Sequence, residues 1–341
     1  FLDAIGYELA PNVVTSDALE ARLATLYDRL KLSPGQLEAW TGIKERRWWD
    51  PNHKLSDGAT AAAERALEQA GIAPQQLGAV IYGGVCRENH EPATACVVAN
   101  NLGVPRATAV YDVSNACLGA LSAMIQIANM IELGQIKAGL AVSCESAREI
   151  NDAMIQDMLE AGDMDRFRGS LATLTGGSGA VAMVLTDGSL GGPYAGRHKL
   201  KGGALLAAPE HHGLCRWGAH PDGLTRDFME TDAVSVLKHG VALGAETWQA
   251  FLPAVGWQPE DVDRVICHQV GSANRTAILG SLGISPSKDF TTYEHLGNIG
   301  TVSLPLTAAI ADEREALKKG DRVGFLGIGS GLNCLMLGWD W

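Results

Sequence analysis

The sequence predicts an α/β protein made of two related halves, with largely parallel sheets covered by helices on both faces. Three observations support this fold class. Strand-like apolar runs alternate with helical stretches, a segment of the first half recurs in the second, and 341 residues are more than one hydrophobic core usually serves. Apolar residues make up 46% and charged residues 19%, a balance typical of a soluble globular chain.

The repeat is clearest in two windows of equal length. Residues 71–81 read GIAPQQLGAVI and residues 256–266 read GWQPEDVDRVI, with identical Gly, Pro, Val and Ile positions. A helical stretch precedes each window, and each window leads into a strand, AVIYGGV or RVICHQV. Further helical stretches end at NLGV and SLGI, and we expect a second strand and helix after each.

The repeat sets the expected domain boundaries. The first half would cover residues 1–188 and the second half residues 225–341. The stretch between them, residues 189–224, includes most of TDGSLGGPYAGRHKLKGG and is rich in glycine and basic residues. This composition predicts a connecting loop and an insertion over a site.

The formal net charge of -12 argues against a nucleic-acid partner and against insertion into or adsorption on an anionic membrane. A local exception lies in TGIKERRWWD. There Lys44, Arg46 and Arg47 form either a basic patch for a phosphate or an acidic carrier, or a solvated charged turn.

The cysteines argue against a disulfide framework, because their number is odd and no CxxC pair occurs. Most of them lie among apolar or small residues, where a thiol behaves as a small core residue. The sequence therefore predicts a reducing, cytoplasmic compartment, and it shows neither a secretory signal nor a membrane-spanning segment. The cysteines are Cys86, Cys96, Cys117, Cys144, Cys215, Cys267 and Cys334.

Cys117 is the strongest candidate for a catalytic residue. It follows the strand-like run ATAVYDV through the short turn SNA, and it opens the apolar helix LGALSAMIQIANMIEL. A thiol at the N-terminal end of a buried helix lies in the positive end of the helix dipole, which favours the thiolate. The alternative interpretation is a buried structural cysteine.

Two further candidates lie in the second half. His268 ends the strand VICHQV, where ligand crevices open at the carboxyl ends of strands, although such a histidine is also often a buried structural residue. Asn298, in EHLGNIGTVSLP, is either a turn residue or an amide donor to an oxyanion. Residues 327–331, GIGSG, form a tight turn whose backbone N–H groups suit the same purpose.

These segments resemble those of thiolase-fold condensing enzymes. SNACLG, HQV, GNIG and GIGSG occur in the family's order on matching halves, and TGIKERR resembles the N-terminal segment of the ketoacyl synthase III branch. The resemblance covers nearly the whole chain. It implies the thiolase fold, a duplicated five-layer αβαβα arrangement.

The resemblance also implies roles for the site residues. Cys117 would take an acyl group from a thioester, with its own backbone N–H and that of Ser330 forming the oxyanion hole. His268 and Asn298 would hydrogen-bond the thioester carbonyl of the second substrate while it becomes a carbanion. The product would be a β-ketoacyl compound, formed without a cofactor from acyl-CoA or acyl carrier protein thioesters.

Glu91, in NHEPATAC, resembles in its position the glutamate of the OleA branch, which enters the partner subunit's active site. This likeness implies a homodimer in which Glu91 is the base that removes the α-proton of a second acyl-CoA. A surface loop residue is the alternative. A malonyl substrate would instead generate the carbanion by losing carbon dioxide, and the sequence leaves both versions open.

Some features depart from the family or compete with it. The positions that contact coenzyme A in ketoacyl synthase III enzymes fall on Gln36, Trp40, Gly271 and Ala273, none of which keeps the family's residue type. The sequence therefore does not decide whether the acyl donor is carried by coenzyme A or by acyl carrier protein.

One cluster contains enough donor atoms for zinc, but at an unfamiliar spacing, and we predict no metal. Its members are His211, His212, Cys215 and His220.

Two other functions remain in view. The chain could be a non-catalytic, acyl-binding partner subunit of a heterodimeric condensing enzyme, although the intact Cys, His and Asn set argues against this. It could also be a thioester hydrolase using the same acyl-Cys117. Biosynthetic thiolase is disfavoured because the late glycine turn holds Ser330 where those enzymes carry a second catalytic cysteine.

Overall fold

The computed structural model describes residues 1–192 and 195–341, so Pro193 and Tyr194 of the predicted insertion lie outside the described residues. In the first half the strands are β1 (Leu2–Leu9), β2 (Asn12–Thr15), β3 (Glu45–Trp48), β4 (Ala79–Gly83), β5 (Ala109–Val113), β6 (Ala138–Glu145) and β7 (Gly179–Thr186). The helices are α1 (Ser16–Arg22), α2 (Ala24–Leu30), α3 (Gln36–Thr41), α4 (Leu55–Ala70), α5 (Thr94–Leu102), α6 (Gly119–Glu132), α7 (Arg148–Ala161) and α8 (Met164–Ser170).

In the second half the strands are β8 (Lys199–Ala207), β9 (Cys215–Ala219), β10 (Asp227–Thr231), β11 (Arg264–Cys267), β12 (Arg322–Gly329) and β13 (Asn333–Asp340). The helices are α9 (Ala233–Val255), α10 (Ser272–Leu282), α11 (Tyr293–Leu296) and α12 (Ser303–Glu313). Within the described ranges, no helix combines the length and the apolar character needed to cross a membrane.

The two main sheets repeat one topology. The first has the order β1-β7-β6-β4-β5 and the second the order β11-β12-β13-β8. Both are mixed, whereas the sequence predicted largely parallel sheets: β4 pairs in parallel with β5 and β6, but β7 is antiparallel to β6 and β1. In the second sheet a short turn joins β12 to β13, and such a turn can connect only antiparallel neighbours.

The repeated windows form the same local structure in both halves, as predicted. Helices α4 and α9 end at Gly71 and Gly256, which have φ of 68° and 71°. In each case the next residue's N–H reaches back to a carbonyl of the last helical turn. This arrangement needs a left-handed residue, which glycine adopts at little cost. A 3-10 turn and then β4 or β11 follow.

The second half differs from the first in two places. After α10 the predicted second strand is absent from the described chain, and a single bridge from Val265 to Asp289 stands where β4 pairs with β5 in the first half. The Asp289 carboxylate is held instead by the Arg275 Nε atom at 2.6 Å. In addition, β8 lies within residues 189–224, assigned above to a loop and insertion, yet it pairs with β13 in the second sheet.

The helices and sheets stack in five layers, which confirms the expected αβαβα arrangement. Helices α4 and α5 cover the outer face of the first sheet, and α9 and α10 cover that of the second. Helices α6 and α12 lie between the sheets in one apolar cluster. Its buried members include Ile81, Leu121, Met124, Leu304, Ala308, Phe325 and Leu335.

Candidate active site

Cys117 lies in a 3-10 turn (Ala116–Leu118) that links β5 to the central helix α6. Its neighbour Ala116 has a φ of 43°, a left-handed conformation that costs a residue with a Cβ atom roughly 1 kcal/mol or more. The surrounding structure holds this strained turn in place. The predicted position of Cys117 at the start of the central helix is therefore observed.

The surroundings of Cys117 oppose the thiolate that its position at the start of a helix would favour. Burial raises the pKa of Cys117 to about 12, and the nearby Cys215 and Glu145 add to the rise. The Ala120 N–H in the first turn of α6 donates to the Thr301 hydroxyl at 2.6 Å, so this amide is not free to stabilise a thiolate. As the candidate nucleophile, Cys117 would have to lose its proton during the reaction.

Asn298 lies just before the turn Gly300–Val302, which leads into α12. Its backbone N–H donates to the Thr175 carbonyl at 2.9 Å, and its carbonyl accepts the Gly177 N–H at 2.9 Å. Its side-chain Oδ1 atom accepts the Gly300 N–H at 3.0 Å. Because Oδ1 is engaged, Nδ2 is the end of the amide that can donate to a substrate oxygen.

His268 follows β11 directly, and its backbone N–H donates to the Leu326 carbonyl of β12 at 3.0 Å. Burial lowers the pKa of His268 to about 4, so the ring is neutral at pH 7. Within the described residues its Nδ1 atom is buried without a hydrogen-bond partner. A buried ring nitrogen in that state is suited to bind a substrate group or water.

Gln269 connects the histidine to the asparagine segment. Its Nε2 atom donates to the Cys267 carbonyl at 2.7 Å, and its Oε1 atom accepts the N–H groups of Thr292 and Tyr293. Tyr293 begins α11, the helix that precedes Asn298. This buried amide therefore fixes the two catalytic candidates of the second half relative to each other.

The glycine turn at residues 327–331 lies against the turn that carries Cys117. A Cβ atom at Gly329 would lie 3.3 Å from the backbone nitrogen of Cys117, so only glycine leaves this approach uncrowded. The Asn333 Nδ2 atom donates to the Asn115 Oδ1 atom at 3.1 Å and joins the two turns. Ser330 lies in this turn, and its assignment to the oxyanion hole remains a prediction.

Glu91 lies apart from these residues, on the loop between β4 and α5, and its side chain is exposed. The end of the loop is anchored because the Asp112 carboxylate on β5 accepts the N–H groups of Thr94 and Ala95 at 2.8 and 2.9 Å. The structure thus brings together the segments that carry Cys117, His268 and Asn298, while Glu91 faces solvent beside the edge strand β5.

The candidate zinc donors have separate partners. His220 Nε2 lies 3.1 Å from the Asp157 carboxylate on α7, whereas the His211 ring packs against His239, with centroids 3.9 Å apart and a tilt of 32°. Within the described chain, no group of three or more His, Cys, Asp or Glu side chains is arranged to hold a metal ion. Cys215 begins the β9–β10 hairpin and lies near Cys117. The insertion therefore does reach the site.

The proposed basic patch does not form as a surface. Arg46 is wholly buried, and its guanidinium donates to the Ser16 hydroxyl and the Val14 carbonyl. Arg47 donates to the Ala10 carbonyl.

In this chain, two of the positions that contact coenzyme A in ketoacyl synthase III enzymes are Trp40 and Gly271. Trp40 is exposed. Gly271 lies against the Thr41 carbonyl, and a Cβ atom at this position would be 2.8 Å from that oxygen.

Comparisons with known proteins agree with this geometry. Residues 252–341 match the profile of the 3-oxoacyl-[acyl-carrier-protein] synthase III C-terminal domain, and residues 51–175 match that of the thiolase N-terminal domain. A Shewanella oneidensis acyl-CoA:acyl-CoA alkyltransferase is 57% identical, covering 100% of this chain and 98% of that protein. A Xanthomonas campestris protein of the same name is 39% identical, covering 96% and 94%. The chain belongs to the OleA family of the thiolase superfamily. It is thus a condensing acyltransferase.

Solved OleA structures extend the likeness to three dimensions. A crystal structure of Xanthomonas campestris OleA with a cysteine-to-alanine substitution has a TM-score of 0.93 at 37% identity, covering 100% of this chain and 96% of that chain. Other structures of that OleA carry substitutions of a glutamate or a histidine. A cysteine-to-serine variant contains bound lauric acid and lauroyl-CoA, with a TM-score of 0.93 at 37% identity and coverage of 100% and 98%.

Proposed function

We propose that this chain joins two acyl-CoA molecules by a non-decarboxylative Claisen condensation through an acyl-Cys117 intermediate. The main support for this proposal is the full-length similarity, at 57% identity, to an acyl-CoA:acyl-CoA alkyltransferase. The position of Glu91 supports it. The substituted glutamate and cysteine of Xanthomonas campestris OleA are as far apart in that chain as Glu91 and Cys117 are here.

In the first half-reaction the Cys117 sulfur attacks the carbonyl carbon of an acyl-CoA. Its thiol proton leaves as the C–S bond forms, and the neutral His268 ring can accept it. The backbone N–H groups of Cys117 and Ser330 stabilise the negative oxygen of the tetrahedral intermediate. When the intermediate collapses, the coenzyme A sulfur departs and takes up a proton.

In the second half-reaction Glu91 removes the α-proton of a second acyl-CoA. The resulting carbanion is stabilised because His268 and Asn298 donate hydrogen bonds to its thioester oxygen. A neutral histidine is suited to this role, and the low pKa of His268 keeps it neutral at pH 7. The carbanion attacks the acyl-Cys117 carbonyl, the Cys117 sulfur leaves and is protonated, and a β-ketoacyl-CoA is released.

Glu91 acts in this proposal from a neighbouring subunit of a homodimer. Strand β5 is an edge of the first sheet, and its residues are half-buried or exposed, with Tyr111 36% exposed. An uncovered edge strand with apolar side chains can pair with the same strand of a second copy. The Glu91 loop is anchored to β5 through Asp112, so pairing there would carry Glu91 to the interface.

The remaining assignments follow from the same chemistry. The cysteine supplies the covalent chemistry and coenzyme A supplies the leaving group, so we propose that no further cofactor takes part. All of the cysteines are free thiols, which suits the reducing cytoplasm that we propose as the compartment.

The experiment incubates the purified protein with a long-chain acyl-CoA, with and without malonyl-CoA or malonyl carrier protein. Intact-protein mass and organic products are recorded together, and Cys117→Ala is the matched control. We expect an acyl mass gain that requires Cys117 and a β-keto product from acyl-CoA alone. Product only with a malonyl donor would contradict the non-decarboxylative reaction, free fatty acid alone would indicate a hydrolase, and no mass gain would indicate a non-catalytic subunit.

A further inference from the structure

Glu145 is a buried carboxylate at the end of β6, in the same region as the candidate site. Its side chain is 4% exposed, and no step of the proposed reaction uses it. A buried ionisable group is costly unless its charge is balanced by hydrogen bonds or a partner. The contacts of Glu145 therefore indicate what the chain gains from keeping it.

The first contact is with the loop that carries Glu91, residues 84–93. The Val85 N–H donates to Glu145 Oε1 at 2.9 Å, and the Cys86 N–H donates to Oε2 at 3.0 Å. Both carboxylate oxygens thus bind the beginning of this loop. Its far end is bound by Asp112, so the loop is fixed at both ends by carboxylates while Glu91 between them stays exposed.

The second contact is with the turn that follows Asn298. Gly300 lies beside the Glu145 side chain: a Cβ atom there would stand at van der Waals distance, 3.5 Å from the carboxylate carbon and 3.6 Å from Oε1. The Gly300 N–H is the group that orients the Asn298 amide. Glu145 therefore binds the Glu91 loop and lies beside the turn that orients Asn298.

The third relationship is electrostatic. Burial raises the pKa of Cys117, and Cys215 and Glu145 raise it further. Around Glu145 itself, burial raises the pKa of Tyr82, Cys86 and Cys144, so those groups are neutral at pH 7. Burial also raises the pKa of Glu145, but the Val85 and Cys86 donors oppose that rise and favour the carboxylate.

We propose that Glu145 is a positioning residue for the condensation: its carboxylate holds the Glu91 loop at the end of β6, beside the turn that orients Asn298, and contributes negative charge near Cys117. Both oxygens bind backbone N–H groups of the Glu91 loop, so we assign Glu145 a positioning role and keep Glu91 as the proposed base. The inference rests on the proposed function for its catalytic consequence, but the tether and the effect of the charge can be measured without substrate.

Two variants separate the tether from the charge. Glu145→Gln removes the charge and replaces one acceptor by a donor, whereas Glu145→Asp keeps the charge but shortens the reach to Val85 and Cys86. Glu149→Gln is the matched control, since Glu149 is an exposed carboxylate on the next helix. The measurements are the pH dependence of Cys117 alkylation by iodoacetamide, hydrogen–deuterium exchange over residues 84–93, and β-keto product from acyl-CoA.

We expect Glu145→Gln to raise the rate of Cys117 alkylation at each pH tested, because a nearby negative charge is removed, and Glu145→Asp to leave the rate unchanged. Exchange over residues 84–93 should rise about tenfold in both variants. Condensation should fall about tenfold or more, with acyl-Cys117 formation less affected. The Glu149→Gln protein should match the wild type in all three measurements.

Unchanged alkylation and unchanged loop exchange in Glu145→Gln would overturn the inference. If the Glu145→Gln protein does not unfold cooperatively, the test rests on Glu145→Asp. Hydrogen–deuterium exchange over residues 84–93 at the wild-type rate in that variant would also overturn the inference. A wild-type protein that makes no β-keto product would refute the proposed function, while alkylation and exchange would still judge Glu145.

Discussion

The Thr301 hydroxyl accepts a hydrogen bond at 2.6 Å from the backbone N–H of Ala120, which lies three positions after Cys117. Thr301 belongs to the turn after Asn298 in the second half, and Ala120 belongs to α6 in the first. The bond joins the halves at the site. It also satisfies an amide that the start of a helix would otherwise leave unpaired.

Thr301→Ala removes this acceptor and leaves the buried Ala120 N–H without a partner. We expect the free energy of unfolding to fall by about 1–2 kcal/mol and acylation of Cys117 to slow. Thr301→Ser keeps the hydroxyl and should retain most of both properties. Denaturant titration and intact-protein mass measure the two effects, and equal losses in the two variants would show that the methyl group matters instead.

Gly329→Ala tests the contact between the glycine turn at residues 327–331 and the turn that carries Cys117. The added Cβ atom would lie 3.3 Å from the Cys117 nitrogen, so one turn must shift by a few tenths of an ångström. We expect Cys117 acylation to slow about tenfold or more in single-turnover measurements. Gly280→Ala on α10 meets no atom within 4 Å and serves as the control. Equal acylation rates in both variants would refute the proposed contact.

His268 predicts a specific pH dependence of stability. The folded chain holds its pKa at about 4, below the ordinary value of 6.5, so unfolding takes up a proton between those pH values. Its contribution to stability is complete above pH 6.5 and declines as the pH falls toward 4, by at most about 1.4 kcal/mol per pH unit. His268→Asn should flatten this decline in denaturant titrations.

A second buried histidine provides the comparison for that experiment. Burial lowers the pKa of His198 to about 3, and its ring stacks on Trp341 away from the site. His198→Asn should also reduce the decline of unfolding free energy at acid pH, while leaving acyl transfer intact. Parallel stability curves for the wild type and His268→Asn would mean that burial does not lower the pKa of His268 in the folded chain.

Asp289→Asn tests the ion pair that replaces a strand in the second half. The Asp289 side chain is fully buried, and its partner Arg275 is 25% exposed. Removing one member of a buried pair should cost about 3 kcal/mol of unfolding free energy. Asp152→Asn breaks a similar bond, to Arg22, between side chains that are 47% and 41% exposed, and should cost less than about 1 kcal/mol. Similar losses in both variants would contradict a special role for Asp289.

Mixing two inactive variants tests whether Glu91 acts across subunits. Refolding Cys117→Ala together with Glu91→Ala creates heterodimers in which one of the two sites has both wild-type residues. Random pairing should restore about a quarter of the wild-type condensing activity. If Glu91 serves its own subunit, the mixture stays inactive. Glu88→Ala in place of Glu91→Ala controls for a general effect on the loop.

The sequence predicted the duplicated architecture because its strongest signals are backbone requirements. Glycines at 71 and 256 are needed by left-handed helix ends whatever surrounds them, so they remain visible after the rest of the repeat has diverged. The missing strand after α10 could not be predicted, because a buried pair between Arg275 and Asp289 depends on tertiary contacts that single-chain patterns do not show.

The same limit applies to the site. The positions of Cys117, His268 and Asn298 at the ends of strands and the starts of helices follow from local patterns. The protonation of Cys117 does not, since burial and the neighbours Cys215 and Glu145 come from distant segments. Glu145 itself stands at the end of a wholly buried strand, AGLAVSCE, and a charged residue in that context was the sequence signal for it.

The starts of the two central helices, α6 and α12, carry different parts of the candidate site. The turn before α6 carries Cys117, the candidate nucleophile, and the turn before α12 follows Asn298, the candidate donor to a substrate oxygen. Because the candidate residues come from both halves, the site is asymmetric within a duplicated frame, and we expect separated halves to lack it.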